Sequence, residues 1–220
     1  MKPKLILCLA LVLSGGLFGC STVPSQTMES PPVTLGQAFC DFDRDGTNDV
    51  LSLVWVSGKH YVDDEIWCGE GEKYSGKFIF RVRLSSGTTV DTPFDLSKVP
   101  FDFFFSSNHQ PWPIFTADYN NDGQPDFNII SYGGCNRDAC CLFTVLPSGK
   151  VEPLEIEGID WLPVVRTGEH STAEFNLTST GFYYTTGSPF ETGLEFLDWD
   201  AKQRIFHLRE EKINLRNQIK

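Results

Sequence analysis

Asp41, Asp43, Asp45 and Asp49 crowd four carboxylates into nine residues, and the same D-x-D-x-D-G-x-x-D spacing returns 77 residues later as Asp118, Asn120, Asp122 and Asp126. Acidic side chains at alternate positions of a short loop repel one another unless a cation sits among them. A hard divalent ion such as Ca²⁺ takes about six to eight oxygens, which this pattern supplies. Side-chain oxygens of the first, third, fifth and ninth positions are the candidate ligands, and Thr47 or Gln124 at the seventh would add its backbone carbonyl. Gly46 and Gly123 occupy the sixth position, where the sharp turn needs a positive φ free of Cβ clash. The expectation is two calcium sites, one per loop.

The flanks of these loops exclude an EF-hand. Its twelfth position requires a bidentate Glu, and here that position holds Ser52 and Ile129. The runs 50–56 and 127–130 that follow are rich in β-branched and aromatic residues, so each loop reads as a hairpin turn leading into a strand. In that form both loops resemble the calcium loops of FG-GAP/VCBS repeats, the blade-forming units of integrin-α-type β-propellers. The resemblance is confined to the loops and their flanks, and it implies a propeller-like fold.

Other chemistry is sparse. There is no G-x-S-x-G, H-E-x-x-H, C-x-x-C or phosphate-cradling glycine loop. His60, His109, His170 and His207 are scattered, and the acidic stretch from Asp63 to Glu72 reads as a solvated loop rather than a glycosidase carboxylate pair. The chain is therefore expected not to be an enzyme. Cys40, Cys68, Cys135, Cys140 and Cys141 read as disulfide formers in an oxidising compartment. The preferred pairs are Cys40 with Cys68, and Cys135 with Cys140 or Cys141, with one thiol left over.

The compartment is read from the first residues. Lys2 and Lys4 precede the apolar run 5–13, and Leu17-Phe18-Gly19-Cys20 resembles the lipobox of bacterial lipoproteins. Residues 1–19 are then a signal peptide and Cys20 a lipidated first residue. Ser21, where an Asp typically retains such proteins in the inner membrane, implies the outer membrane, with the domain facing the periplasm. Residues 20–34, rich in Pro, Ser and Thr, form a flexible tether, and 35–220 form a single domain. Without Lys2 and Lys4, 16 basic residues face 29 acidic ones, a net charge of −13. That balance excludes nucleic acid as a partner and suits calcium or a basic protein.

Turn signals near 45, 86, 122, 148, 180 and 201 divide the chain into about a dozen short strands. Lys59 to Lys77 reads as a polar loop, Phe101, Phe103 and Phe105 as one core face of a strand, and the tail from Arg209 as a short helix or fraying end. The fold class is all-β, an antiparallel meander forming a small degenerate β-propeller, with a β-sandwich as the alternative. Because 77 residues exceed one blade of ~40–50, the two loops are expected about two blades apart. Asp198-Trp199-Asp200 looks like a decayed third loop, but Lys202 stands where a carboxylate is needed, so it is not counted as a metal site. Compartment, size, charge and calcium loops together resemble propeller-like periplasmic inhibitors of lysozyme-like hydrolases. That resemblance implies a binding module, an inhibitor or immunity protein against a basic muramidase. A structural or adhesive lipoprotein is the alternative, and a glycan hydrolase ranks third.

Overall fold

The computed structural model describes residues 32–63, 71–95, 103–106, 112, 114–132, 137–165, 175–188, 191–209 and 213–214. Among them the fold is all-β, with no helix, and almost all strand pairs are antiparallel. The signal, residues 20–31 of the tether with Cys20, and Cys68, Cys135, His109, His170 and Phe101 lie outside the described residues. Val33 and Thr34, expected in the tether, already belong to the first strand, paired with Trp55 and Val54.

Each sheet is a meander in which the fourth position is shared by two short segments. In the first sheet, β1 (Val33–Cys40) pairs with β2 (Asp49–Asp63), which pairs with β3 (Gly71–Arg83). β4 (Thr89–Phe94) and β5 (Phe103–Ser106) then pair with opposite halves of β3. In the second sheet, β6 (Ile114–Ala117), β7 (Asp126–Tyr132) and β8 (Arg137–Val145) follow in order, and β9 (Val151–Pro153) pairs with the end of β8. The chain then crosses through β10 (Glu155–Ile156) and returns as β11 (Leu162–Val165) beside the start of β8. The third sheet runs β12 (Asn176–Leu177), β13 (Gly181–Ser188), β14 (Glu191–Asp200), with β15 (Ile205–Leu208) and β16 (Ile213–Asn214) sharing the fourth position. β10 adds to β15 in parallel as an outer strand.

The three sheets stack face to face around two cores. Phe127, Ile129, Cys141, Phe143 and Val145 of the second sheet pack with Leu51, Leu53, Trp55, Phe80 and Val82 of the first. Alternate residues of the same strands, Ile130, Cys140 and Leu142, pack with Phe182, Tyr184, Leu197 and Phe206 of the third. The middle sheet is therefore apolar on both faces, with successive side chains pointing to opposite sides. At the centre of the first core Phe80 meets Phe94, Phe127 and Phe143 at ring separations of 5.0, 5.1 and 4.9 Å. Each such ring contributes about 1.5–3 kcal/mol on burial. Among the described residues the three layers form neither a closed ring of blades nor a two-sheet sandwich.

Three sequence expectations change. The polar stretch from Lys59 to Lys77 is mostly hairpin: β2 runs on to Asp63 and β3 starts at Gly71. Gly58 and Gly76 allow it, because they face each other across the ladder. A Cβ on either would stand 1.8 Å from the Ser75 carbonyl oxygen or 2.3 Å from that of Ser57. The tail from Arg209, expected as a short helix or fraying end, contains the strand Ile213–Asn214, pairing with β14. The third change, the separation of the two loops, is taken up with the site. Phe103 and Phe105 lie on β5 as expected, at register positions opposite Ser75 and Lys73.

Candidate metal centre

Both acidic loops are the first turn of their sheet, joining β1 to β2 and β6 to β7. They fold by the same set of side-chain to backbone bonds, the local competition that makes Asp and Asn turn residues. At position 1, Asp41 accepts from the amides of Asp45 (3.0 Å) and Gly46 (2.9 Å), and Asp118 from those of Asp122 (3.1 Å) and Gly123 (2.9 Å). At position 3, Asp43 accepts from Asp45 N–H at 3.1 Å and Asn120 from Asp122 N–H at 3.0 Å. At position 5, Asp45 accepts from Thr47 N–H at 2.8 Å and Asp122 from Gln124 N–H at 2.7 Å. At position 9, Asp49 reaches back to the amides of Phe42 and Asp43, and Asp126 to those of Tyr119 and Asn120. Gly46 and Gly123 have φ of 89° and 77°, as position 6 requires.

Two further features repeat and were missed from the sequence. Position 2 is aromatic and buried in both loops, Phe42 in the first core and Tyr119 in the second. The shared D-[FY] start carried that signal. Position 4 is left-handed in both, with φ of 62° at Arg44 and 56° at Asn121. Asn adopts that region readily; nothing in an Arg announces it.

The loops differ in how the remaining carboxylate oxygens are met. In the first, Asp49 Oδ1 accepts from Ser85 N–H at 2.7 Å, and the Ser85 hydroxyl donates to Asp45 Oδ2. That hydroxyl is the chief reason the Asp45 carboxyl is held below its ordinary range. Asp43 is pushed up, first by desolvation and also by the charges of Asp49, Asp45 and Asp41. Asp41, Asp43 and Asp49 each offer an oxygen within 4.8 Å of the others. Asp45 stands outside that group, engaged by Ser85 and Thr47.

In the second loop Asn120 donates to Asp122 Oδ2 at 3.1 Å, doing for Asp122 what Ser85 does for Asp45. Asp126 is 0 % exposed, and its Oδ1 has no hydrogen-bond partner among the described residues. The Thr144 hydroxyl across the ladder is near enough to favour the charged form without completing a bond. Burial wins and pushes the carboxyl up to about 7. A buried carboxylate with a free lone pair demands a proton or a cation. The first loop therefore fits a hard cation by its converging carboxylates, whereas the second offers the orphaned Asp126 oxygen but, among the described residues, no such acidic group. Asp41, Asp43 and Asp49 would hold it in the first loop, and Asp118, Asn120, Asp122 and Asp126 in the second. The seventh-position carbonyls of Thr47 and Gln124 are the remaining expected donors.

The loops are not two blades apart; they touch. Arg44 Nη2 donates to the Asp122 carbonyl at 3.2 Å, and Gln124 Nε2 donates to the carbonyls of Phe42 and, at 3.0 Å, Val145. Spacing misled because one sheet, with its long β2–β3 hairpin and split fourth strand, takes up most of the described residues between the loops. In the third sheet the matching first turn is Thr178–Gly181, which carries no carboxylate. Asp198 and Asp200 sit instead at the β14–β15 corner. There Arg209 binds Asp198 at 2.5 Å, and Asp200 accepts from the amides of Lys202 and Gln203.

Cys40, Cys140 and Cys141 form no disulfide with one another, and the expected partners Cys68 and Cys135 lie outside the described residues. As strand neighbours Cys140 and Cys141 point into different cores, and burial raises both thiols, Cys141 to about 12. Of the histidines, His60 stacks on Tyr74 at 4.4 Å and His207 Nδ1 meets Glu157 at 2.8 Å. A cleft of ≈ 490 Å³ opens between the first two sheets, lined by Phe80, Phe94, Phe143, Ile159, Glu155 and Asp160 among others. No family model, no curated protein and no solved structure matches the chain.

Proposed function

We propose that this chain is a calcium-loaded envelope lipoprotein that works by binding a protein partner, as an inhibitor or immunity protein against a basic, lysozyme-like cell-wall hydrolase. The observation that carries the calcium part is the pair of loops with one bonding scheme, the second of which buries Asp126 with an unsatisfied oxygen. Bound calcium would supply the positive charge that these carboxylates lack. The chain's own residues do the rest: position-1 and position-9 carboxylates tie the loop backbone, and Phe42 and Tyr119 fix each loop to a core.

The partner part rests on charge and on the cleft. A mature charge of −13 attracts a basic protein and speeds encounter, an effect that salt weakens as the Debye length falls to ~8 Å at physiological strength. The cleft sets an aromatic floor beside Glu155 and Asp160, which suits an apolar side chain flanked by basic ones. The membrane contact is the lipid on Cys20. A cell-wall hydrolysis assay with a panel of muramidases tests this reading. Inhibition by the soluble domain that is lost in chelator and weakened by salt supports it. Hydrolysis of glycan by the domain itself, or no inhibition of any hydrolase in the panel, contradicts it.

A further inference from the structure

Position 4 of each acidic loop sends its side chain out of its own sheet. Arg44 donates to the Asp122 carbonyl of the second loop, and its guanidinium lies 3.1 Å from where a Cβ on Gly123 would stand. Asn121, in the same left-handed conformation, donates at 3.2 Å to the Thr178 carbonyl in the first turn of the third sheet. The return contact comes from Gln124, at position 7 of the second loop. Its buried amide donates to the Phe42 carbonyl of the first loop and to Val145. Each acidic loop thus holds a carbonyl of the other that lies at or beside a candidate ligand: Phe42 falls between Asp41 and Asp43, and Asp122 is itself one.

We infer that the two loops bind calcium as a positively coupled pair, with Arg44 and Gln124 as the positioning residues that carry occupancy from one loop to the other. This rests on the calcium reading above. An ion that fixes positions 3 and 9 of the first loop fixes the backbone of Arg44 between them, and with it the grip on Asp122. An ion that fixes the Gln124 carbonyl fixes the side chain that orders Phe42. The first ion bears the cost of ordering this shared network, so the second binds to a frame already set. Coupling of this kind is reciprocal.

The sign separates this inference from simple proximity. Two divalent ions in touching loops repel through their fields, so charge alone makes the second bind more weakly. Hydrogen-bonded ordering makes it bind more tightly. Arg44 acts in both ways, since its positive charge opposes cation binding nearby. Arg44→Met should therefore raise the intrinsic affinity of the second loop while weakening the coupling, a combination that general damage to the fold does not produce.

Calorimetric titration of the chelated soluble domain with calcium tests the inference. The wild-type domain should bind cooperatively. Asp122→Ala should weaken the remaining first loop several-fold, within the about 5–150-fold range usual for coupled sites. In Arg44→Met with Gln124→Met the two sites should become independent, and Asp122→Ala added to that background should leave the first loop unchanged. If the double variant does not fold, Arg44→Met alone, at an exposed side chain, should show the coupling reduced though not lost, and unchanged cooperativity there overturns the role of Arg44. Independent or anticooperative sites in the wild type, or cooperativity that survives both substitutions, overturn the coupling and leave calcium binding intact. A titration with no heat at all removes the calcium reading itself.

Discussion

Asp126 is the residue on which the metal account turns. A buried carboxylate with one unpartnered oxygen costs about 1–3 kcal/mol as an unmet hydrogen bond. Asp126→Asn keeps an oxygen for the Tyr119 and Asn120 amides and replaces the orphan with a neutral NH₂. Urea unfolding in chelator should show this variant more stable than wild type by about 1–3 kcal/mol, with the stabilisation by calcium reduced. A variant less stable than wild type in chelator would mean that the loop needs the charge without a metal.

A second residue sets a pH dependence away from the loops. The Asp198 carboxyl is held low, chiefly by its bond from Arg209 and also by the Thr180 hydroxyl. A carboxyl whose pKa is lower when folded adds stability above the unfolded value of about 3.9 and loses it as pH falls through the folded value. The side chain is partly exposed, so the effect is small. Melting curves from pH 5 down to 2 should converge for wild type and Arg209→Met at the acid end and differ above it. Parallel curves throughout would contradict the assignment.

At the scale of elements, what was legible depended on distance along the chain. The loop turns were readable because Asp and Asn fold them with bonds spanning two to seven residues. The turns at Ser85–Thr88 and Pro147–Lys150 were readable for the same reason, and they close with matching bonds from Leu84 and Leu146. The grips of Arg44 and Gln124 span 78 and 82 residues, and no local pattern encodes them. The β2–β3 hairpin was hidden by its own polarity, because glycine, not hydrophobic alternation, permits the close approach there. Gly58→Ala forces a methyl into the Ser75 carbonyl at a φ of 142° and should cost on the order of 2 kcal/mol or more in urea unfolding. Gly87→Ala, with nothing within 4 Å but a φ of 88°, should cost only about 1–2 kcal/mol. Equal costs would argue against the tight crossing.

For the whole molecule, the sequence carried the all-β class but not the stacking. A strand such as β8, apolar on both faces, reads the same whether it is covered by two sheets or lies in a sheet wound differently. Only the split of alternate residues between two cores, Cys141 and Phe143 into one and Cys140 and Leu142 into the other, identifies it as the middle layer. The stack in turn brings the loops together, and their contact is what makes a paired ion site possible.

The central claim, that both loops hold calcium, is met most directly by counting ions. Chelated soluble domain dialysed to equilibrium against about 5 mM calcium, above the ~10⁻⁴–10⁻³ M affinity of extracellular modules, should carry two calcium ions per chain by atomic absorption. Asp43→Asn and Asp126→Asn should each lower that number, and the two together should remove it. A wild-type count of zero, or a count that neither substitution changes, would contradict the account.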